Sequence, residues 1–208
     1  MAITTYTELK TAVANWLDRD DLTDRIPEFI SLCEARFNRD LRIRAMETKQ
    51  TASTVAGQRN YALPTDYIQM RNFQINSDPI RVLEYLTPEM YDRMWAGSTS
   101  GTPYYYTVVA DELQLGPAPD SVVTMEMLFY KKFTPLSVSV ATNWVISNAP
   151  DVYLYGSLIE AEAFLVNDQR LQVWSAGYGN AIDALSRADA RDRHSGSALR
   201  ITTTAGNP

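Results

Sequence analysis

Cysteine and histidine are almost missing from this sequence. A single cysteine, Cys33, among 208 residues excludes an internal disulfide and any cysteine-rich metal site. The one histidine, His194, opens a loose C-terminal stretch, so a Ser-His-Asp or Cys-His constellation has no firm base. Metal sites built from His and Cys fail on count alone. No apolar run approaches the roughly 18 residues needed to cross a bilayer. Residues 1–6 lack both the positive start and the apolar block of a secretion signal, which places the expected site of synthesis and residence in the cytoplasm. An excess of positive charge is absent too. The net charge of -6 argues against tight wrapping of nucleic acid, which rests on phosphate neutralisation by Lys and Arg. There is no phosphate-binding glycine loop, because Gly177-Tyr178-Gly179 lies inside a helical pattern with no strand before it. Glu160 and Glu162, two apart on a helix, point in different directions, unlike a glycosidase pair facing across a cleft. The expectation is a protein with no catalytic residues, no cofactor and no metal.

What is present is an ordinary globular composition, 45% hydrophobic and 21% charged, on a chain long enough for one large domain or two small ones. The dominant pattern is a helical hairpin over 148–193. Asn148 and Pro150 suit a helix start. Leu154, Leu158, Ala161 and Leu165, with Tyr155 and Ile159, have helical spacing on more than one face. Asn167 and Asp168 break the pattern, and Leu171, Trp174, Tyr178, Ile182 and Leu185 form a second stripe. The first helix is apolar around most of its girth, Glu160 and Glu162 excepted. It needs protein on several sides, either as a buried core helix or at a subunit interface. Gly177 and Gly179 each cost about 1 kcal/mol against alanine in a helix; a close helix crossing or a kink accounts for them.

At the other end, Thr5 and Glu8 have capping-box spacing before Leu9, Val13, Trp16 and Leu17. A second helix is predicted from Thr23 or Asp24, with Pro27 in its first turn and a stripe of Ile26, Phe29, Ile30, Cys33, Phe37 and Leu41. Arg36, Arg39, Arg42 and Arg44 gather towards its end, where cations favour the helix dipole; they read as a solvated face or as contacts to phosphate or acidic neighbours. Residues 48–55 are rich in Thr and Ser. Six strands are then predicted, at 59–63, 67–75, 80–85, 104–109, 113–115 and 122–133. The alternation in 67–75 is imperfect and leaves its facing open. A short helix runs from Thr87-Pro88-Glu89 to Trp95, and 97–103 is the expected mobile loop. Tyr104, Tyr105 and Tyr106, with Trp95, suit either stacking on sugar or base rings or a core with a protein interface.

The predicted fold class is therefore α+β: a helical bundle formed from N- and C-terminal helices, 1–46 and 136–193, with an inserted β-sandwich or barrel-like domain, 47–135, and an extended C-terminal tail, 194–208. The tail has no acidic residue and few apolar ones, so alone it is expected to be disordered. Its last fourteen residues span roughly 45 Å when extended, at about 3.3 Å each. Leu199, Arg200 and Ile201, in a Thr-rich context, suit pairing with a partner's strand edge; the alternative is an idle terminus.

Several stretches taken in order resemble the adaptor, or head–tail connector, proteins of short-tailed bacteriophages. They are 6–23 (YTELKTAVANWLDRDDLT), 26–39 (IPEFISLCEARFNR), 61–67 (YALPTDY), 86–93 (LTPEMYDR), 113–119 (LQLGPAP) and 150–161 (PDVYLYGSLIEA). The resemblance implies a structural virion protein, made in the host cytoplasm, that sits at the head–tail interface. It implies a ring of neighbouring copies, twelve in the usual case, docked on the portal protein ring. Such a ring extends the DNA channel, through which DNA passes without specific binding, and offers a platform to the tail nozzle or other tail proteins. Leu199, Arg200 and Ile201 then become the expected portal contact. Leu154, Tyr155, Leu158, Trp174 and Tyr178 become the expected subunit or bundle packing. Rival readings are another tail-completion or nozzle ring component and, further off, a carbohydrate- or nucleic-acid-binding module.

Overall fold

The computed structural model describes residues 2–19, 21–95, 97, 99–165 and 168–194. The chain divides into two compact units, the first made of 1–45 and 133–208, the second of 46–132. Both helices and sheets are present, so the mixed α+β class agrees with the sequence reading. Among the described residues there are six α-helices, five of them in the first unit.

Helix α1 (Tyr6–Leu17) opens with a complete capping box: Thr5 accepts from the Glu8 N–H, and the Glu8 carboxylate accepts from the Thr5 N–H. Such a cap is worth about 1 kcal/mol, and it sets the phase that turns Leu9, Val13 and Leu17 inward. Helix α2 (Ile26–Asp40) starts two to three residues later than predicted. Thr23 and Asp24 lie in a turn, and Arg25 holds the cap position without a side-chain bond, so Pro27 rather than a capping oxygen marks the start. Its buried stripe contains Ile26, Phe29, Ile30, Cys33 and Phe37 as expected, and also Glu34.

The C-terminal hairpin needs a correction at its start. A separate short helix, α4 (Trp144–Asn148), precedes α5 (Pro150–Leu165). Asn143 caps α4 through the Ile146 N–H. Asn148 ends that helix, with its amide donating to the Trp144 carbonyl, and is not the cap of α5. Helix α6 (Asp168–His194) follows, about 40 Å long at 1.5 Å per residue. Helices α1, α2, α4 and α6 all pack on α5. That explains a helix with buried residues on every face, from Val152 and Tyr153 to Leu158, Ile159 and Ala161. Gly156 makes the crossing with α2 possible, because a Cβ there would run into Cys33 Sγ. Gly177 does the same for α6, where the Tyr155 ring lies against it. Close crossing, not a kink, accounts for that glycine.

The second unit holds the strands and α3 (Pro88–Trp95). One sheet has the order β1 (Glu47–Ser53), β10 (Thr124–Lys131), β3 (Tyr67–Ile75), β4 (Arg81–Val82). The other has the order β2 (Asn60–Ala62), β8 (Glu112–Gly116), β7 (Tyr105–Val109), β5 (Glu84–Tyr85), and β6 (Ser100–Gly101) pairs with β9 (Ala118–Pro119). Phe73, Ile75, Tyr106, Leu113, Leu115, Met127 and Phe129 form its core. Three predictions change. The Thr/Ser-rich 48–55 segment contains β1, an edge strand paired along its length with β10; its pattern conceals it because an edge strand needs little apolar surface. The predicted strand 80–85 divides into β4 and β5, which pair in different sheets, with Leu83 buried at the switch and its N–H donating to Phe73. Part of the expected mobile loop is β6, paired in parallel with β9. The imperfect alternation of β3 has a physical cause in register shifts against β10 at Leu128/Phe129 and Tyr130/Lys131, each of which swaps inward and outward faces.

Candidate functional site

In the first unit, the sequence-predicted packing residues fall into two groups. Leu154 and Leu158 are buried within the unit. Tyr155 and Trp174 stack, with ring centroids 6.1 Å apart, and Trp16 of α1 joins them at 6.1 and 5.4 Å. Each such pair adds about 0.5–1.5 kcal/mol beyond its buried area. Trp16 still exposes 43% of its surface; on α5 and α6, Phe164 exposes 55% and Val173 62%. Tyr178 is buried against α2, its hydroxyl donating to Asp40 at 3.0 Å. Burial, then the Asp40 carboxylate, pushes that hydroxyl well above the ordinary tyrosine range. Leu199, Arg200 and Ile201, the predicted portal contacts, lie outside the described residues.

Several described groups able to carry chemistry have structural roles. Cys33 is buried, and burial drives its thiol far above the usual value, which disfavours the thiolate. Glu160 pairs with Arg36, which accounts for one arginine of the α2 cluster. Arg42 reaches back to the carbonyls of Asn38 and Leu41, and Arg44 meets Asp189 and Asp192. Glu162 points inward, taking Arg170 Nε at 3.2 Å and Trp174 Nε1 at 3.4 Å, and so ties α5 to α6. Among the described residues no cluster of three or more His, Cys, Asp or Glu side chains could hold a metal ion. No described helix is long and apolar enough to cross a membrane.

Sequence reasoning misses a buried polar chain. Asn143 donates to the Tyr153 hydroxyl at 2.6 Å, and that hydroxyl donates to Glu34 Oε1 at 2.9 Å. The same oxygen accepts from the Leu136 N–H at 2.7 Å. Burial raises the Glu34 carboxyl above its ordinary value, and the bonds from Leu136 and Tyr153 only partly oppose this. A signal exists: Glu34 is four residues after Ile30 and three before Phe37, inside the apolar stripe.

In the second unit, most of the tyrosine run is packed against other side chains. Tyr106 is buried edge-on against Phe73 at 5.2 Å, its hydroxyl pushed up to about 12 by burial and then by Tyr67 and Tyr85. Tyr105 faces Trp95. Tyr104 alone is largely exposed, and the Arg81 guanidinium sits 4.4 Å over its ring.

The first unit is thus marked by a half-exposed cluster of aromatic side chains, Trp16, Tyr155 and Trp174. The family described as SU10 adaptor protein matches residues 4–202, and the chain belongs to that family. It is a phage adaptor and hence a virion component, as the succession of stretches from Tyr6 onwards implies. No match emerges among curated proteins.

Proposed function

We propose that the protein is the ring-forming adaptor between head and tail. Copies of the chain, twelve by the family resemblance, dock on the portal ring, extend the DNA channel and present a platform for the tail nozzle. In this reading the N- and C-terminal helices form a bundle that makes the ring wall, and the β-sandwich or barrel-like insert is carried on it. Leu154, Leu158 and Tyr178 pack the bundle. Tyr155 and Trp174, with Trp16, Phe164 and Val173, meet the neighbouring copy. Leu199, Arg200 and Ile201 contact the portal.

The observation that carries this reading is the family match, which runs through nearly the whole chain and includes the 199–201 stretch. The half-exposed aromatic cluster supports it, because Trp and Tyr are the residues on which protein interfaces most depend. The net charge of -6 is compatible with a channel past which DNA moves without sticking. A tail that orders only on docking gives up ordering entropy at that step, which keeps free copies apart until the portal gathers them. Deleting residues 195–208 tests the assignment. Attachment to portal rings is expected to disappear while the circular dichroism spectrum is retained; undiminished attachment refutes the portal role of the tail.

A further inference from the structure

The end of α6 meets the first unit through polar contacts as well as through packing. Between Ala181 and Arg193 no side chain is fully buried; Ile182, Leu185, Asp189 and Arg193 form one half-buried stripe. Beneath it lies a groove of about 360 Å³ bordered by Ile43, Ala45, Trp144, Leu185 and Ala188. The groove is open, and Ile182 and Leu185 are only half-buried, so apolar contact over these turns is thin. Asp189 adds polar ties. Its Oδ1 accepts from the Arg44 backbone N–H at 2.8 Å and lies 3.4 Å from Arg44 Nε, and its Oδ2 accepts from Arg193 Nε at 2.5 Å. Burial alone raises this carboxyl, but the Arg44 N–H and the Arg193 guanidinium outweigh it and hold the carboxyl below the ordinary aspartate value. Asp192 also meets Arg44, at 2.9 Å, but that pair is open to water and contributes little.

Arg44 stands at the place where the chain leaves the first unit, one residue before its boundary at Ala45. Where the chain returns, Phe133 is fixed differently. Its ring stacks on Trp144 at 5.9 Å and meets Phe37 edge-on, and its N–H donates to Asn38 Oδ1. The return is anchored in packed core; at the departure Leu41 and Ile43 are buried, and the Arg44 N–H that follows them is taken by a carboxylate borne by the end of α6.

We propose that Asp189 is a latch that makes the ordering of the end of α6 and the ordering of residues 43–45 a single cooperative event. Coupling of this kind is reciprocal: whatever stiffens the helix end stiffens the departing chain, and the reverse. One consequence rests on the function proposed above: a partner that captures the chain beyond α6 reaches the segment leading to β1 through this carboxylate. The coupling itself is a property of the free protein.

Hydrogen exchange on the full-length chain, without partners, tests it. In Asp189→Ala the Arg44 amide is expected to exchange at least about tenfold faster, since a charge-assisted bond is lost. The amides of the last three turns of α6 are expected to accelerate with it, while those of α5 stay at wild-type rates. Asp189→Asn keeps an acceptor without the charge and should give a smaller change in the same two places, which preserves the test if the alanine variant folds poorly. Acceleration at Arg44 alone, at the helix end alone, or at neither overturns the proposal. The latch is read from exchange rates of the free protein and the portal role from attachment to portal rings, so failure of one and failure of the other are separate results.

Discussion

Helices α5 and α6 are neighbours in one unit, sixteen and twenty-seven residues long, yet different forces hold them. α5 is apolar around most of its girth, Glu160 and Glu162 excepted, and four helices of its own chain pack on it. α6 presents one inward stripe, with Tyr178 and Ala181 buried, and then continues for three turns on a half-buried face secured by Asp189. The difference shows what a largely apolar helix demands. Most of its need for neighbours is met inside the protomer; Phe164 near its end stays exposed, and in the proposed ring it joins Trp16 and Val173 in the surface offered to other chains.

Substitutions in the two helices should reproduce that contrast, and the largest effect belongs to the core of α5. Leu158→Ala is expected to destabilise by about 2–5 kcal/mol in urea unfolding, because the fully buried site leaves a cavity. Leu185→Ala, on the half-buried stripe above an existing groove, should change stability by less than about 1 kcal/mol. Similar losses at both positions would abolish the distinction.

Next comes Gly156→Ala. The added methyl has no room beside Cys33 Sγ, so α2 and α5 must separate, at a cost of about 1–3 kcal/mol. Double substitution with Cys33→Ala should recover part of this loss in the same unfolding assay, because it removes the sulfur that the methyl meets.

A comparable loss, about 1–3 kcal/mol, is expected for Glu34→Ala, which leaves the Leu136 N–H and the Tyr153 hydroxyl without their acceptor. Glu34→Gln keeps an acceptor oxygen and should be far milder. The pH dependence separates the two effects. Since the folded carboxyl is raised, the stability it contributes is fully present below the unfolded value of about 4.3 and is lost as pH rises through the folded one. The stability of the Glu34→Gln variant relative to wild type should therefore improve as pH rises through that window. A constant difference across the window would show that Glu34 titrates as it does in the unfolded chain.

The smallest effect is a gain. Gly179→Ala, on the exposed side of α6 with nothing within 4 Å of the new methyl, should add about 1 kcal/mol through helix propensity alone. Gly177→Ala should show little net gain, since the same propensity is set against the Tyr155 ring.

Much of this is legible in the sequence. The capping box at Thr5 and Glu8 and the α2 stripe are local patterns with local causes, and the structure has them in place. What escapes depends on partners distant in sequence. β1 becomes a strand because β10 lies beside it, not because its Thr-rich composition demands one. The division of 80–85 follows from two sheets competing for one segment. Arg36 and Arg44 have the pattern of a solvated face, and only the fold brings Glu160 and Asp189, more than a hundred residues on, to meet them. Tyr155 and Trp174 stand out as packing residues, whereas their companion Trp16 reads only as part of an amphipathic stripe on α1. Burial of Glu34 is readable from its position in a stripe, but its partners Tyr153 and Asn143 are not.

Most depends on the protein being a component completed by assembly, and sedimentation of the full-length chain, alone and with portal rings of its phage, tests this directly. A single slow species of about one chain is expected when the protein is alone, and co-sedimentation as a ring when portal is added. A chain that remains a monomer in the presence of portal rings would contradict it.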